Sequence, residues 1–444
     1  MPVDNGRLMA WEALNDVLLK HSFADLAAKA RFKALEPRDA RFARKLLYQT
    51  LDKLIAIDSA LLPFIDVKQT PEKVLNALRI GACQLLYMNA VPDFAALDST
   101  VEIVKQDGFM TRAGLVNAVL RNVIREGKQP RVPDRETDLA GHLSVKYSWP
   151  RFVVELWLKE QPRWAEALLE WEPRFHATAR ANPLAGGTPE ELEEYLKANE
   201  IEYERGSLVP GAFRLKGSSN VTEWELFKSG KVALQGEASQ LVSAVAAAAA
   251  GPGAAILDAC AAPGGKSASI SGLLGGDCQI TAWDVHPHRV TLMKETFQRL
   301  HVKSAAAEPH DARFADPRRF DLVLVDAPCS GLGVAWNSPD IKVSRKPENI
   351  TTLTVTQKKI INNAAECVRV GGKLLYSTCT ITRAENQAVV EGFLRLARSF
   401  RQADIRPYLT ESLRDRVENN CMVQLLPPAD GAEGFFLALL QRVK

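Results

Sequence analysis

Residues 320–334, FDLVLVDAPCSGLGV, form an apolar run that ends in a carboxylate, a proline and a thiol. The run predicts a buried strand, which puts Asp326, Pro328 and Cys329 at its carboxyl mouth. The stretch LLYSTCT puts Cys379 at the same end of the next one. Ligands in open α/β sheets bind outside those ends. A single buried cysteine is usually a small hydrophobe. Two at equivalent strand mouths, beside an acid, point instead to covalent catalysis with a thiolate as nucleophile.

A second constellation lies upstream. LDACAAPGGKS, residues 257–267, turns straight from a strand into a helix. Gly264 and Gly265 let backbone approach a ligand closely, and the helix start offers unsatisfied N–H donors. Asp284 closes the next strand in TAWDV, where an acid in such a fold takes ribose hydroxyls. Asp311, in EPHDAR, stands where a carboxylate reaches an adenine amino group; a plain turn aspartate is the alternative. Neither GxGxxG nor GxxxxGK[ST] occurs, so the ligand expected is a nucleoside with little or no phosphate. S-adenosyl-L-methionine fits all three positions: adenine near Asp311, ribose on Asp284, the methionine end over Gly264 and Gly265.

These residues need a scaffold, and the alternation of short apolar strands with helices from about residue 250 supplies one. AAILDAC, QITAWDV, FDLVLVDAP and GGKLLYSTCT read as strands, IINNAAECVRV as a helix, and MVQLLPP with GFFLALLQRV as a terminal hairpin. The pattern predicts a doubly wound, largely parallel, Rossmann-like sheet. Upstream, Leu8, Trp11, Leu14 and Leu18 recur at helical spacing, as do later apolar residues to about 128. LDSTVEIVKQ carries a Ser-Thr helix-start signal. In PRDARFARKLLYQT, Arg38, Arg41, Arg44 and Lys45 make a basic helix stripe that suits a phosphate backbone or is a solvated face. Residues 129–143 mix proline and charge as a linker. Short helices around WPRFVVELWLKEQ and WAEALLEWEP follow, then a Thr188-Pro189 helix start and extended pieces at FRLKG and KVALQG, with Trp and Phe residues read as core. The expected division is an all-helical domain 1–130, a small α+β module 140–250 and a catalytic α/β domain 251–444.

The bulk composition is compatible with this and narrows little else. The 444 residues exceed what one core organises, and 46% hydrophobic with 25% charged residues describes an ordinary folded chain. A net charge of +3 neither demands nor forbids a polyanion. Seven cysteines without a CxxC pair speak against a zinc knuckle or a disulfide frame. With no signal-peptide core and no membrane-length apolar stretch, a cytoplasmic protein free of membrane contact is expected. No heptad pattern suggests a partner subunit, so a monomer is expected.

DACAAPGGKS, DAPCSGLG and STCT, with Asp284 and Asp311 between them, resemble the cytosine-C5 RNA methyltransferases of the Sun-type, RsmB-like family over essentially the whole chain. The helical first third is similar to the NusB-like RNA-binding domain of the bacterial branch. The resemblance implies methylation at C5 of a cytosine in small-subunit (16S) ribosomal RNA, naked or in an assembly intermediate. It implies an S-adenosyl-L-methionine pocket lined by Cys260, Ala261, Ala262, Pro263, Gly264, Gly265, Lys266, Asp284, Asp311 and Asp326. Cys379 matches the nucleophile and Cys329 the second cysteine. C5 of cytosine is too weak a nucleophile unaided, so a thiolate must first add to C6. Asp326 would steady the charge that develops on the ring, and Cys329 would assist the closing elimination. Lys266 would lower a thiol pKa or hold the cofactor loop. No metal is implied.

The chain departs from the family after DAPCSGLG, where Trp336, Asn337 and Ser338 replace a common basic pair; Lys342, Arg345 and Lys346 are the cations expected to grip RNA instead. Two rival readings stand beside this one. A DNA cytosine methyltransferase would attack with a Pro-Cys cysteine, here Cys329. An RNA-binding assembly factor would keep the fold and lose the reaction.

Overall fold

The computed structural model describes residues 5–175, 177–217 and 220–444. The chain forms two compact units, one of residues 1–170 with 335–346 and one of 171–334 with 347–444.

The first unit is helical. Helices Asn5–Lys20, Ala24–Phe32, Pro37–Asp52, Leu54–Leu61, Glu72–Tyr87, Asp93–Gln106 and Ala113–Arg125 enclose one core, with Leu14, Leu46, Ile57, Leu78, Ile80 and Leu120 sealed at its centre. Helices Leu139–Tyr147, Arg151–Glu160 and Ala165–Glu170 continue the unit. Trp149 and Trp157 are buried with ring centroids 4.8 Å apart, as core residues should be. Arg38, Arg41, Arg44 and Lys45 all lie exposed on Pro37–Asp52.

Segment 335–346 explains the departure noted in the sequence. Trp336 packs at 5.2 Å from Trp149 and stacks at 5.8 Å on Trp157, completing an aromatic cluster. Lys342 is 5% exposed; its Nζ donates to Asp52 Oδ1 at 2.5 Å and lies 4.1 Å over the Trp149 ring. Burial pushes the Asp52 carboxyl up, but the charges of Lys342 and Lys53 outweigh it and hold the group below its ordinary value. The expectation that Lys342 grips RNA is therefore corrected: its charge is spent inside the unit.

The second unit carries two sheets. The smaller joins β1 (Ala177–Ala181), β2 (Tyr203–Arg205), β3 (Ala212–Leu215) and β4 (Val232–Leu234) in the order β2-β3-β1-β4, all antiparallel. The Thr188 hydroxyl accepts from Glu191 N–H at 3.1 Å, capping helix Pro189–Ala198 as the Thr-Pro pair predicts. The larger sheet contains β5 (Ala254–Asp258), β6 (Cys278–Asp284), β7 (Ala305–Pro309), β8 (Phe320–Asp326), β9 (Val368–Thr378), β10 (Phe400–Gln402), β11 (Met422–Gln424) and β12 (Phe436–Arg442). Its order is β10-β12-β9-β8-β5-β6-β7, with β11 also on β12. Strands β9-β8-β5-β6-β7 are parallel and β12 returns antiparallel to β9. This is the Rossmann-like sheet expected, covered on both faces, as its nearly unbroken apolar strands require.

Several sequence expectations need adjustment. The helix read from Ser99 and Thr100 begins at Asp93, after Pro92; both hydroxyls donate back to carbonyls, Ala95 at 2.6 Å and Ala96 at 2.7 Å, inside the helix. Helix Leu139–Tyr147 starts within the stretch read as linker, capped by Asp138, which accepts from Gly141 N–H at 3.0 Å. Contacts group residues 139–170 with the helical unit and the small sheet with the catalytic one, a different partition from that drawn on composition. In IINNAAECVRV only the part to Glu366 is helical; Val368 already begins β9. β1 and β7 were not anticipated, because ATARA and AAAEP hold almost no β-branched or aromatic residue.

Candidate active site

The turn after β5 is built from backbone. Ala262-Pro263 is cis, and Gly264 has φ +97°, the left-handed region that favours glycine. A Cβ at Gly264 would stand 2.9 Å from Phe297 Cε1, whereas one at Gly265 would meet nothing within 4 Å. Helix Gly265–Leu273 therefore opens onto a bare shelf, with no side chain capping its first N–H groups. Asp258, at the end of β5, is fully buried and accepts from Ser267 Oγ at 2.7 Å. Burial pushes its carboxyl up to about 6 against the effects of Ser267 and Lys266. Burial also pushes the Cys260 thiol well up, and the charges of Asp258, Asp326, Asp284 and Asp311 add to the rise, which places that sulfur within an acidic surround.

Asp284 closes β6 at 8% exposure; its Oδ1 accepts from His286 N–H at 2.9 Å, and Arg289 lies 3.8 Å from Oδ2. Asp311 follows β7 and is paired to Arg313 at 2.6 Å, whose hydrogen bond holds the carboxyl below its ordinary value.

Parallel strands β8 and β9 run side by side with Asp326 opposite Ser377, which brings both cysteine loops to the carboxyl ends of two central strands. Cys329 Sγ and Cys379 Sγ lie 3.2 Å apart. Asp326 Oδ1 accepts from Ser377 Oγ at 2.8 Å and Oδ2 from Lys266 Nζ at 2.5 Å. Burial alone would push Lys266 down, but the Asp326 charge and hydrogen bond more than offset it, so the ammonium stays charged. Lys266 thus ties the turn after β5 to the carboxylate at the thiol mouth. Cys329 is pushed well up, first by hydrogen bonding to Cys379 and then by burial, and keeps its proton.

The loops carrying the thiols are held by side chains the sequence reading missed. Glu385 is fully buried; its Oε1 accepts from Ser330 N–H at 2.8 Å and Gln357 Nε2 at 3.1 Å, and its Oε2 from Ser330 Oγ at 2.6 Å and Thr382 Oγ1 at 2.8 Å. Asn386, also sealed, accepts from Thr378 Oγ1 at 2.5 Å and donates to Thr380 O at 3.0 Å, bridging the residues on either side of Cys379. A Cβ at Gly333 would come within 1.9 Å of Gly434 O and 2.9 Å of Cys379 O, so only glycine lets those backbones meet. The dense run of hydrogen-bonding residues in STCTITRAEN, between an apolar strand and a helix, was the available signal.

A family model described as 16S rRNA methyltransferase RsmB/F matches residues 246–441, and the NusB family model matches residues 4–125. The probable ribosomal RNA small subunit methyltransferase B of Bacillus subtilis is 36% identical over 98% of both chains. Ribosomal RNA small subunit methyltransferase B of Xylella fastidiosa is 33% identical over 91% of this chain and 92% of that one. Among solved structures, PH0851 superposes with a TM-score of 0.84 at 23% identity, covering 100% of this chain and 99% of that one. NSun6 from Pyrococcus horikoshii, solved with SFG, gives 0.57 at 21% identity over 66% of this chain and 98% of its own; both likenesses describe the fold. The bare shelf, the free helix-start donors and the Asp284 carboxylate fit S-adenosyl-L-methionine, which is the cofactor. The chain belongs to the RsmB/F family of 16S rRNA methyltransferases and carries a NusB-family region at its N-terminal end.

Proposed function

We propose that this protein methylates C5 of one cytosine in small-subunit ribosomal RNA through a covalent bond between Cys379 and C6, acting as a cytoplasmic monomer. The observation that carries the reading is the pair of sulfurs 3.2 Å apart, beside a carboxylate, at the mouths of adjacent parallel strands. When bound, S-adenosyl-L-methionine supplies the electrophilic methyl that C5 takes up. Cys260 to Lys266 would hold its methionine end, Asp284 the ribose and Asp311 the adenine, with Asp311 exchanging its present Arg313 pairing for that contact.

The protein's own groups make C5 reactive. The Cys379 thiolate adds to C6; Asp326, fixed by Ser377 and Lys266, accepts from the cytosine amino group and orients the ring, while the Lys266 ammonium beside it offsets the negative charge that addition brings. Cys329 keeps its proton while it is hydrogen-bonded to Cys379. Once Cys379 is a thioether its charge is gone and its sulfur is a weaker acceptor, so Cys329 gives up its proton more readily at that stage than before, against the burial and the Glu385 and Asp326 charges that still raise it. Having given its own proton to water, Cys329 takes the C5 proton as thiolate; the C5 electron pair re-forms the C5–C6 double bond and expels Cys379 as thiolate. One contact thus orders the two thiols in time. The base must leave its stack to reach C6, which suits an unpaired or splayed nucleotide.

The test is methyl transfer from S-adenosyl-L-methionine to 16S rRNA by the purified protein, read by bisulfite sequencing. One protected cytosine is expected. Transfer to DNA with loss of activity in Cys329→Ala, or tight RNA binding without transfer, would replace this reading with one of the two rivals.

A further inference from the structure

We infer that Glu385 and Asn386 are a pair of positioning residues with divided tasks: Glu385 fixes the Cys329 loop against the Cys379 loop, and Asn386 fixes Cys379 itself. The division of tasks rests on the reaction proposed above; the geometry does not. Neither residue touches the reacting atoms, and neither was expected from the sequence.

A buried carboxylate is expensive unless its lone pairs are filled, and the four donors that fill those of Glu385 come from three separate places. Ser330, the residue after Cys329, supplies its N–H and its hydroxyl. Gln357, on helix Pro347–Glu366, supplies one N–H of its amide while also donating to Pro328 O at 2.9 Å, the residue before Cys329. Thr382, three residues after Cys379, supplies its hydroxyl. The Ser330 hydroxyl also lies 2.8 Å from Thr380 Oγ1, the residue after Cys379. Both flanks of Cys329 and the far side of Cys379 are thus drawn to one carboxylate. Asn386 adds the near side: it joins the Thr378 hydroxyl to the Thr380 carbonyl and is anchored in turn by donation to Gln424 Oε1 at 2.8 Å. Pro328, Ser330, Thr378 and Thr380, the neighbours of the two cysteines, are each held by a member of this network.

The consequence is asymmetric. Loss of Glu385 frees mainly the Cys329 loop, because Asn386 still holds Cys379. Attack and methyl transfer should then survive while elimination fails. Loss of Asn386 frees the nucleophile, and attack itself should fail.

The experiment reads the sulfur spacing without the methyl-transfer reaction. Diamide converts the two thiols to a Cys329–Cys379 disulfide, taking up both thiol hydrogens as it is reduced to the hydrazine; peptide mass spectrometry of the full chain times the closure. In Glu385→Gln closure should slow about tenfold or more, since a displacement near 1 Å is enough to cost that in a positioned reaction. Ser330→Ala, which removes only a hydroxyl, should slow it in the same sense and serves if Glu385→Gln does not fold. With unmodified 16S rRNA and S-adenosyl-L-methionine, Glu385→Gln should raise the ratio of enzyme–RNA adduct to methylated product at least tenfold, and Asn386→Ala should lower both species. Wild-type closure rates and an unchanged adduct ratio in folded variants would overturn the inference. If the wild type transfers no methyl group to RNA, the proposed reaction falls, and the closure rates still decide whether the network sets the spacing.

Discussion

The turn after β5 and the mouths of β8 and β9 belong to one site, yet they are built from different materials. The turn is backbone: a left-handed Gly264, a bare Gly265 and a helix start offering N–H groups. The thiol mouth is side chain: Glu385, Asn386, Ser330, Gln357 and Thr380, buried and cross-bonded around two sulfurs. Main-chain donors suit a nucleoside cofactor that is bound and released without a covalent bond to the protein. Side-chain networks suit a step in which one sulfur must bond carbon and its neighbour must wait. Lys266 joins the two regions through Asp326.

Damage to the thiol mouth should be the most severe. Cys379→Ala should lower methyl transfer by roughly 10⁴-fold or more, because the uncatalysed ring carbon does not attack. Cys329→Ala should instead accumulate an RNA adduct stable to denaturing electrophoresis, with turnover nearly absent. Equal and adduct-free losses in both variants would erase the distinction between the thiols. Next comes the bridge: Asp326→Asn should cost about 10²- to 10³-fold in kcat/KM, as removal of an electrostatic stabiliser does, seen in single-turnover assays.

The backbone region should respond in stability and cofactor affinity. Asp258 has a folded pKa of about 6 against an ordinary 3.8. A raised carboxyl pKa contributes stability that is complete below 3.8 and lost as pH rises through about 6, the interval corresponding to roughly 3 kcal/mol. Asp258→Asn should therefore be more stable than the wild type at pH 8 by up to that amount, with the gap closing near pH 4 in urea titrations. A gap that widens toward acid would contradict the burial argument. Smallest is Gly264→Ala, which forces a side chain into φ +97° and against Phe297; about 1 to 3 kcal/mol of strain should weaken S-adenosyl-L-methionine binding roughly tenfold by calorimetry.

The same contrast explains what was legible in the sequence. Gly264 announces a tight turn because its left-handed backbone favours glycine, and Asp284 closes the next strand as the apolar run before it predicts. The apolar runs ending at Asp326 and near Cys379 announce buried strands, so residue types alone place both thiols at strand mouths. Glu385 and Asn386 give weaker notice, only the density of hydrogen-bonding residues in STCTITRAEN: as letters, a glutamate and an asparagine before a helix read as a solvated turn, and their burial exists only once β8, β9 and helix Pro347–Glu366 converge. Trp336 and Lys342 mislead for a similar reason. Lying beside the cysteine motif in sequence, Lys342 reads as an RNA-gripping cation and Trp336 as the replacement of a basic residue, whereas segment 335–346 folds into the helical unit and spends them on Trp149, Trp157 and Asp52.

The central claim is a carbon–sulfur bond at one named cysteine, and one measurement addresses it. The protein is incubated with S-adenosyl-L-methionine and small-subunit RNA in which cytosine is replaced by 5-fluorocytosine, whose C5 fluorine cannot leave as a proton does, and the crosslinked peptide is sequenced by mass spectrometry. The account predicts a single methylated nucleotide bonded to Cys379. A crosslink at Cys329, or full methylation of ordinary RNA by Cys379→Ala, would contradict it.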